Sequence, residues 1–155
     1  MNEGHDGPTT DEARLATASQ ALRVWLGLGA FAAGLDKFFN LLTTWSMYLC
    51  ALAERLLPIS DGAFMRCIGV VEMLVGLAIL TRWTRLGAYA LAAWLVAIAA
   101  NLAISGNFWD LALRDVEIAL SAFTLGRLTE WRTQRIQISG ATRGLGHVLH
   151  GDAAA

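Results

Sequence analysis

Residues Leu86 to Ile104, LGAYALAAWLVAIAANLAI, decide the fold, because this apolar run contains no charged side chain. At ~1.5 Å of rise per helical residue its length matches the ~30 Å hydrocarbon core of a bilayer. On its amino-terminal side, only Thr81 to Arg85 separate it from a second apolar run at about 64–80, which carries Arg66 near its start and Glu72 near its middle. On the other side, Ser105 to Trp109 lead into a run at about 110–128 that holds Arg114, Asp115 and Glu117. Connections this short make each pair of neighbours an antiparallel hairpin. Further upstream the chain is apolar over about 21–42, interrupted by Asp36 and Lys37. The pattern predicts an all-α fold: an integral membrane four-helix bundle.

Composition agrees. Of 155 residues, 55% are hydrophobic and 16% charged, and the mean hydropathy is +0.48, which leaves too little polar surface for a soluble globule. Two Cys and two Pro exclude a disulfide scaffold and a Pro-rich disordered chain. A net charge of -1 gives no basic face for nucleic acid. Residues 1–20 carry mixed charge without an apolar core, so they read as a polar tail and not as a cleavable signal; residues 129–155 form a second polar tail. The longer first connection, WSMYLCALAERLLP (Trp45 to Pro58), places Trp45, Tyr48, Leu49, Leu52 and Leu56 at helical spacing. That predicts a short interfacial helix, with a plain loop packed over the bundle mouth as the alternative.

With a cytoplasmic amino terminus, the inner side collects Arg14, Arg23, Arg82, Arg85, Arg127, Arg132, Arg135 and Arg143, against Arg55 alone outside. This asymmetry places both termini in the cytoplasm.

A charge at the centre of a membrane helix costs about 2.5 to 3.5 kcal/mol, so the polar side chains inside the spans have to meet. Small residues mark the faces on which such helices pack. In span one Gly27, Ala30, Gly34 and Lys37 share a face; in span two Gly69, Glu72 and Gly76; in span three Ala90, Ala93, Ala97 and Asn101; in span four Asp115, Ala119, Ala122 and Gly126. Each helix is thus expected to offer one polar group inward, with Lys37, Asn101 and Asp115 in the outer half and Glu72 deeper. Asp110 and Arg114 stand i,i+4 in the favourable order for a pair. Asp36 is expected to pair with Arg66 or to face outer water, and Glu117 to continue the Asp110 and Arg114 face.

The runs GLDKFFN (Gly34 to Asn40), FMRCIGVVEMLVGL (Phe64 to Leu77), AAWLVAIAANL (Ala92 to Leu102) and DLALRDVEIAL (Asp110 to Leu120), with Trp45 and Tyr48, resemble the DoxX-like family of small four-helix membrane proteins. The resemblance covers about Leu22 to Leu128. It implies a bacterial inner membrane and, for some relatives, links to quinone-coupled oxidation of sulfur compounds or to redox-stress complexes. Its motif positions are Asp36, Lys37, Glu72, Arg114 and Asp115, and a family likeness by itself assigns no enzyme activity.

Other signals carry less. Cys50 and Cys67 both fall toward the outer side, where a disulfide is possible, yet no CxxC occurs and buried free thiols are the expectation. His5, His147 and His150 sit in the tails, so no haem is expected in the bundle, and no metal site. Gly140, Gly144 and Gly146 resemble the phosphate-binding turn of short-chain dehydrogenases, without the strand, helix and acid that complete a dinucleotide unit. The tail arginines suit anionic lipid instead.

Two functions of different class follow. In the first, a redox-associated protein binds a quinone head group or small polar substrate, alone or beside a soluble or membrane redox partner. Lys37, Arg114, Glu72 and Asp115 would be its catalytic candidates, and Asp36, Arg66, Asn101 and Asp110 would line the cluster. If catalytic, it would be a subunit of a quinone-linked oxidoreductase. In the second, a non-catalytic subunit anchors or assembles a larger membrane complex or a homo-oligomer. Proton or small-solute transport is a third possibility, lacking an evident internal repeat.

Overall fold

The computed structural model describes residues 10–48 and 60–151. These form four helices: α1 (Thr10–Phe39), α2 (Asp61–Leu80), α3 (Thr84–Ser105) and α4 (Trp109–Gly151), with a 3-10 turn, Trp45–Tyr48, after α1. No strand occurs among the described residues, as the all-α reading expects. Both α2 and α3 are long and apolar enough to cross a membrane. Of the segment expected to form an interfacial helix or a loop, Trp45–Tyr48 forms this 3-10 turn, and residues 49–58 lie outside the described residues.

The outer helices overrun the expected spans. Helix α1 starts within the polar tail, where Asp11 and Glu12 suit the positive end of the helix dipole. It stops at Phe39, short of Leu42, for a local reason. The Asp36 carboxylate accepts the backbone N–H groups of Leu41 and Leu42 at 3.0 and 3.2 Å, and Asn40 takes the left-handed conformation at φ 52°, which Asn tolerates at a helix end. Helix α4 runs on to Gly151, so the stretch resembling a dinucleotide turn is helical. Arg135 of this extension reaches Glu12 of α1 at 3.7 Å, while Arg85 and Arg127 converge on Glu130 at 3.4 and 2.9 Å.

Helices α1 and α2 run antiparallel and meet at two glycine contacts. A Cβ on Gly34 would stand 2.5 Å from the Gly69 carbonyl oxygen, and one on Gly76 would stand 2.7 Å from that of Gly27. The expected small faces of spans one, two and four are therefore the packed ones, with Gly27, Gly34, Gly69, Gly76, Ala119, Ala122 and Gly126 buried. Span three differs. Ala90, Ala93 and Ala97 are exposed, and α3 buries Gly87, Ala88, Leu91, Ala92, Ala99 and Leu102 instead. Alanines occur on every side of this helix, so small size alone does not select its packing face. Cys67 is exposed, against the expected burial, because it falls on the outward side of α2; Cys50 lies outside the described residues.

Two apolar clusters fill the interior. One joins Leu26, Ile79, Ala88, Leu91, Ala92, Ala122 and Leu125. The other joins Ala99, Leu102 and Ala112, with Tyr48 and Phe108 packed on it. On α4 the buried stripe runs Ala112, Asp115, Ala119, Ala122, which sets a carboxylate between the two clusters.

Candidate functional site

Lys37, Glu72 and Asp115 are buried together between the helices. The Lys37 Nζ donates to Glu72 Oε2 at 2.6 Å, with the two side chains 5% and 7% exposed. Buried and short, this is a charge-assisted bond of the strong kind. The long lysine stem brings the Lys37 ammonium into direct contact with Glu72. The indole N–H of Trp94 donates to Glu72 Oε1 at 3.4 Å, so both carboxylate oxygens are engaged. Sequence inspection missed Trp94, although it lies two turns from Asn101 on the same side of α3.

The 3-10 turn covers this cluster at the end of the bundle where α1 stops. Trp45 lays its ring over the Lys37 ammonium, 3.7 Å from the ring centre, a cation–π contact worth up to about 2 kcal/mol when desolvated. Its indole N–H donates to Asp36 Oδ2 at 2.7 Å. Asp36 thereby holds α1's end and the lid at once, and neither Arg66 nor open water is its partner. Asn101 donates to the Tyr48 carbonyl at 2.8 Å, tying the turn to α3. The Tyr48 ring stands edge-on against Phe108 at 4.9 Å. Trp45 and Tyr48, read from sequence only as interface markers, are the parts that seal the mouth.

Asp115 takes Arg114 as its partner. Arg114 donates through Nη2 and Nε at 3.1 and 3.3 Å to Asp115 Oδ1, and the Lys37 charge also acts on this carboxylate through space. The expected pair of Asp110 and Arg114 does not form. An exposed i,i+4 pair contributes only about 0.3 to 0.5 kcal/mol, whereas an uncompensated buried carboxylate costs several, so the guanidinium turns to Asp115. Asp110 and Glu117 are both exposed on α4, on the side that Arg114 also reaches.

The space beside the cluster is small. A notch of about 70 Å³ lies among Lys37, Asn40, Ser46 and Arg66 beside the 3-10 turn, room for roughly two waters at ~30 Å³ each. The remaining polar groups fill a packed contact. No protein-family model, no curated protein and no solved structure matches this chain. What the cluster does has therefore to be read from its own geometry.

Proposed function

We propose that this chain is a DoxX-like, multi-pass protein of a bacterial inner membrane, with both termini cytoplasmic, that serves as a non-catalytic assembly subunit of a larger membrane complex. Lipid exposure supports the membrane part. In the apolar windows of α2 and α3 only 28% of each is buried within the chain, leaving Leu74, Leu77, Leu86, Val96 and Ile104 uncovered. A soluble core helix buries most of its apolar surface, and hydrocarbon is the solvent that accepts such a face.

The observation that carries the assembly role is the outer face of α4. Asp110, Arg114 and Glu117 recur there at steps of four and three, all exposed. Glu117 has no hydrogen bond or ion pair to its carboxylate among the described residues. It stands eight residues into the helix, about 12 Å below Trp109 at ~1.5 Å per residue, too deep for a short side chain to reach the interface. Left facing lipid, the charge costs about 2.5 to 3.5 kcal/mol; a helix of another subunit with complementary polar groups removes most of that cost. The closed Lys37 and Glu72 contact fits the same role, as a lock that holds the bundle in one register.

A second reading has one observation in its favour. Lys37 and Arg66 share the notch at the outer mouth, where two cationic donors suit a quinone carbonyl or another small polar acceptor. A ring enters there only if Trp45 swings off the ammonium.

Solubilising native membranes in a mild detergent separates the two. The assembly reading expects a stoichiometric membrane partner that Arg114→Leu with Glu117→Leu releases while the bundle stays folded. A monomer that carries quinone by mass spectrometry replaces it with the second reading, and a monomer carrying nothing defeats both.

A further inference from the structure

At the end of the bundle opposite the Lys37 cluster lies a cavity of about 210 Å³ between α1, α3 and α4. Ser19, Gln20 and Arg23 line it from α1, Thr84 from the start of α3, and Thr129, Arg132 and Thr133 from α4. The threonine hydroxyl protons are already committed. Thr84 donates to the carbonyl of Ile79 or Thr81 at 2.9 Å, Thr129 to Leu125 at 2.8 Å and Thr133 to Thr129 at 2.9 Å. Arg23 spends Nε and Nη2 on the last carbonyls of α2, reaching Ile79, Leu80 and Thr81 at 2.9, 2.6 and 2.7 Å, and keeps Nη1.

Unspent donors remain. Arg132 makes no hydrogen bond, ion pair or ring contact among the described residues, and Gln20 none either. Ser19 is 5% exposed and lines the cavity, and its hydroxyl bonds no other described residue, which leaves it free to donate to a ligand there. Among the described residues no carboxylate lines the space; on α4, Glu130 is held by Arg85 and Arg127. Thr84, the first residue of α3, sets the positive end of that helix's dipole beside the cavity.

We propose that this cavity binds a phosphate group. Two guanidinium groups, a serine hydroxyl and a carboxamide around a space smaller than the ~300 to 1,000 Å³ of drug-sized sites suit a tetrahedral dianion or phosphodiester, not a whole nucleotide. The phosphate comes either from an anionic lipid head group or free from solution. Only the lipid source rests on the membrane reading above; the cavity itself does not depend on the assembly role.

The test uses the full chain purified in a neutral detergent, with thermal unfolding followed in two arms. One titrates inorganic phosphate; the other transfers the protein to bilayer discs of phosphatidylglycerol or of phosphatidylcholine. Binding raises Tm in proportion to ligand concentration over Kd. Arg132→Gln loses charge-assisted bonds and is expected to weaken binding about tenfold or more. Its unliganded Tm stays put, because Arg132 bonds nothing among the described residues. Ser19→Ala, which removes one donor from the lining, weakens binding several-fold. A rise with phosphatidylglycerol alone that Arg132→Gln suppresses identifies a lipid head group, and a rise with inorganic phosphate that it suppresses identifies a free anion. No rise in either arm, an equal rise with phosphatidylcholine, or a rise that survives both substitutions overturns the proposal.

Discussion

Removing the charge of Lys37 with its length kept, as in Lys37→Met, tests whether the buried pair locks the bundle. The ammonium sits 2.6 Å from Glu72 with both side chains nearly sealed. Without it, Glu72 keeps only the 3.4 Å bond from Trp94. Asp115 loses the field of Lys37 as well and leans on Arg114 alone. Stranding one partner of a buried pair costs about 3 to 5 kcal/mol, a large share of the ~5 to 15 kcal/mol that holds a domain together. Replacing both partners with apolar residues of similar volume removes the stranded charge, so Lys37→Met with Glu72→Leu should return to within about 1 kcal/mol of the parent. The coupling energy between the two sites then exceeds about 2 kcal/mol, well above that of independent sites. Denaturant unfolding in detergent micelles, followed by circular dichroism for the two singles and the double, measures it. A loss below about 1 kcal/mol for Lys37→Met, or a double variant as weak as the sum of the singles, refutes the reasoning, since the pair would then be hydrated and not a lock.

Three further expectations use other contacts. Gly34→Ala should lose about 1 to 3 kcal/mol by overpacking, because its Cβ would meet the Gly69 carbonyl at 2.5 Å. Gly29→Ala, with nothing within 4 Å, should instead gain up to about 1 kcal/mol of helix propensity; equal effects on Tm would show that α1 and α2 do not cross at Gly34. Trp45→Phe keeps a ring over Lys37 but loses the indole bond to Asp36, and should cost about 1 to 3 kcal/mol in the same unfolding assay; a loss no larger than that of Trp25→Phe, at a ring 78% exposed, would mean the lid is not held. In intact cells lacking other thiols, Asn107→Cys should react with an impermeant maleimide and Arg82→Cys only after permeabilisation; the reverse pattern inverts the topology.

The helices were legible where the chain gives contrast. Charged or glycine-marked faces on α1, α2 and α4 identified the packed sides correctly, because Gly34, Gly69 and Gly76 are the residues that let two backbones touch. Helix α3 offers alanine on all sides, and there the reading by small size chose Ala90, Ala93 and Ala97, which face out. The Lys37, Glu72 and Asp115 group was visible because each of the three shares a helix face with small residues. Partner choice was not, since it depends on burial. Asp36 goes to backbone N–H groups and Trp45, and Arg114 to Asp115, because buried acids outcompete exposed ones for the same donors. The cavity between α1, α3 and α4 left no mark in the sequence at all, since Ser19 and Arg132 are remote in the chain and ordinary in type.

The polar contacts occupy the places where apolar packing is thinnest. The closest packing joins α1 with α2 and α3 with α4, while α1 and α4 touch over a shorter stretch. Across that division run the Trp94 bond to Glu72, the Asn101 bond to the turn after α1, the Lys37 field on Asp115 and the Arg135 pair with Glu12. In the bilayer setting proposed above, apolar side chains would gain little by leaving hydrocarbon for one another, so two hairpins would have weak reason to associate through leucine and valine alone. Hydrogen bonds and charges differ, because a lone polar group in hydrocarbon has no water to return to. The cluster that resembles a catalytic constellation in sequence thus has a sufficient structural role as the fastening between hairpins. In the assembly role proposed above, the exposed Asp110, Arg114 and Glu117 face would apply the same physics to a second fastening, directed away from the bundle.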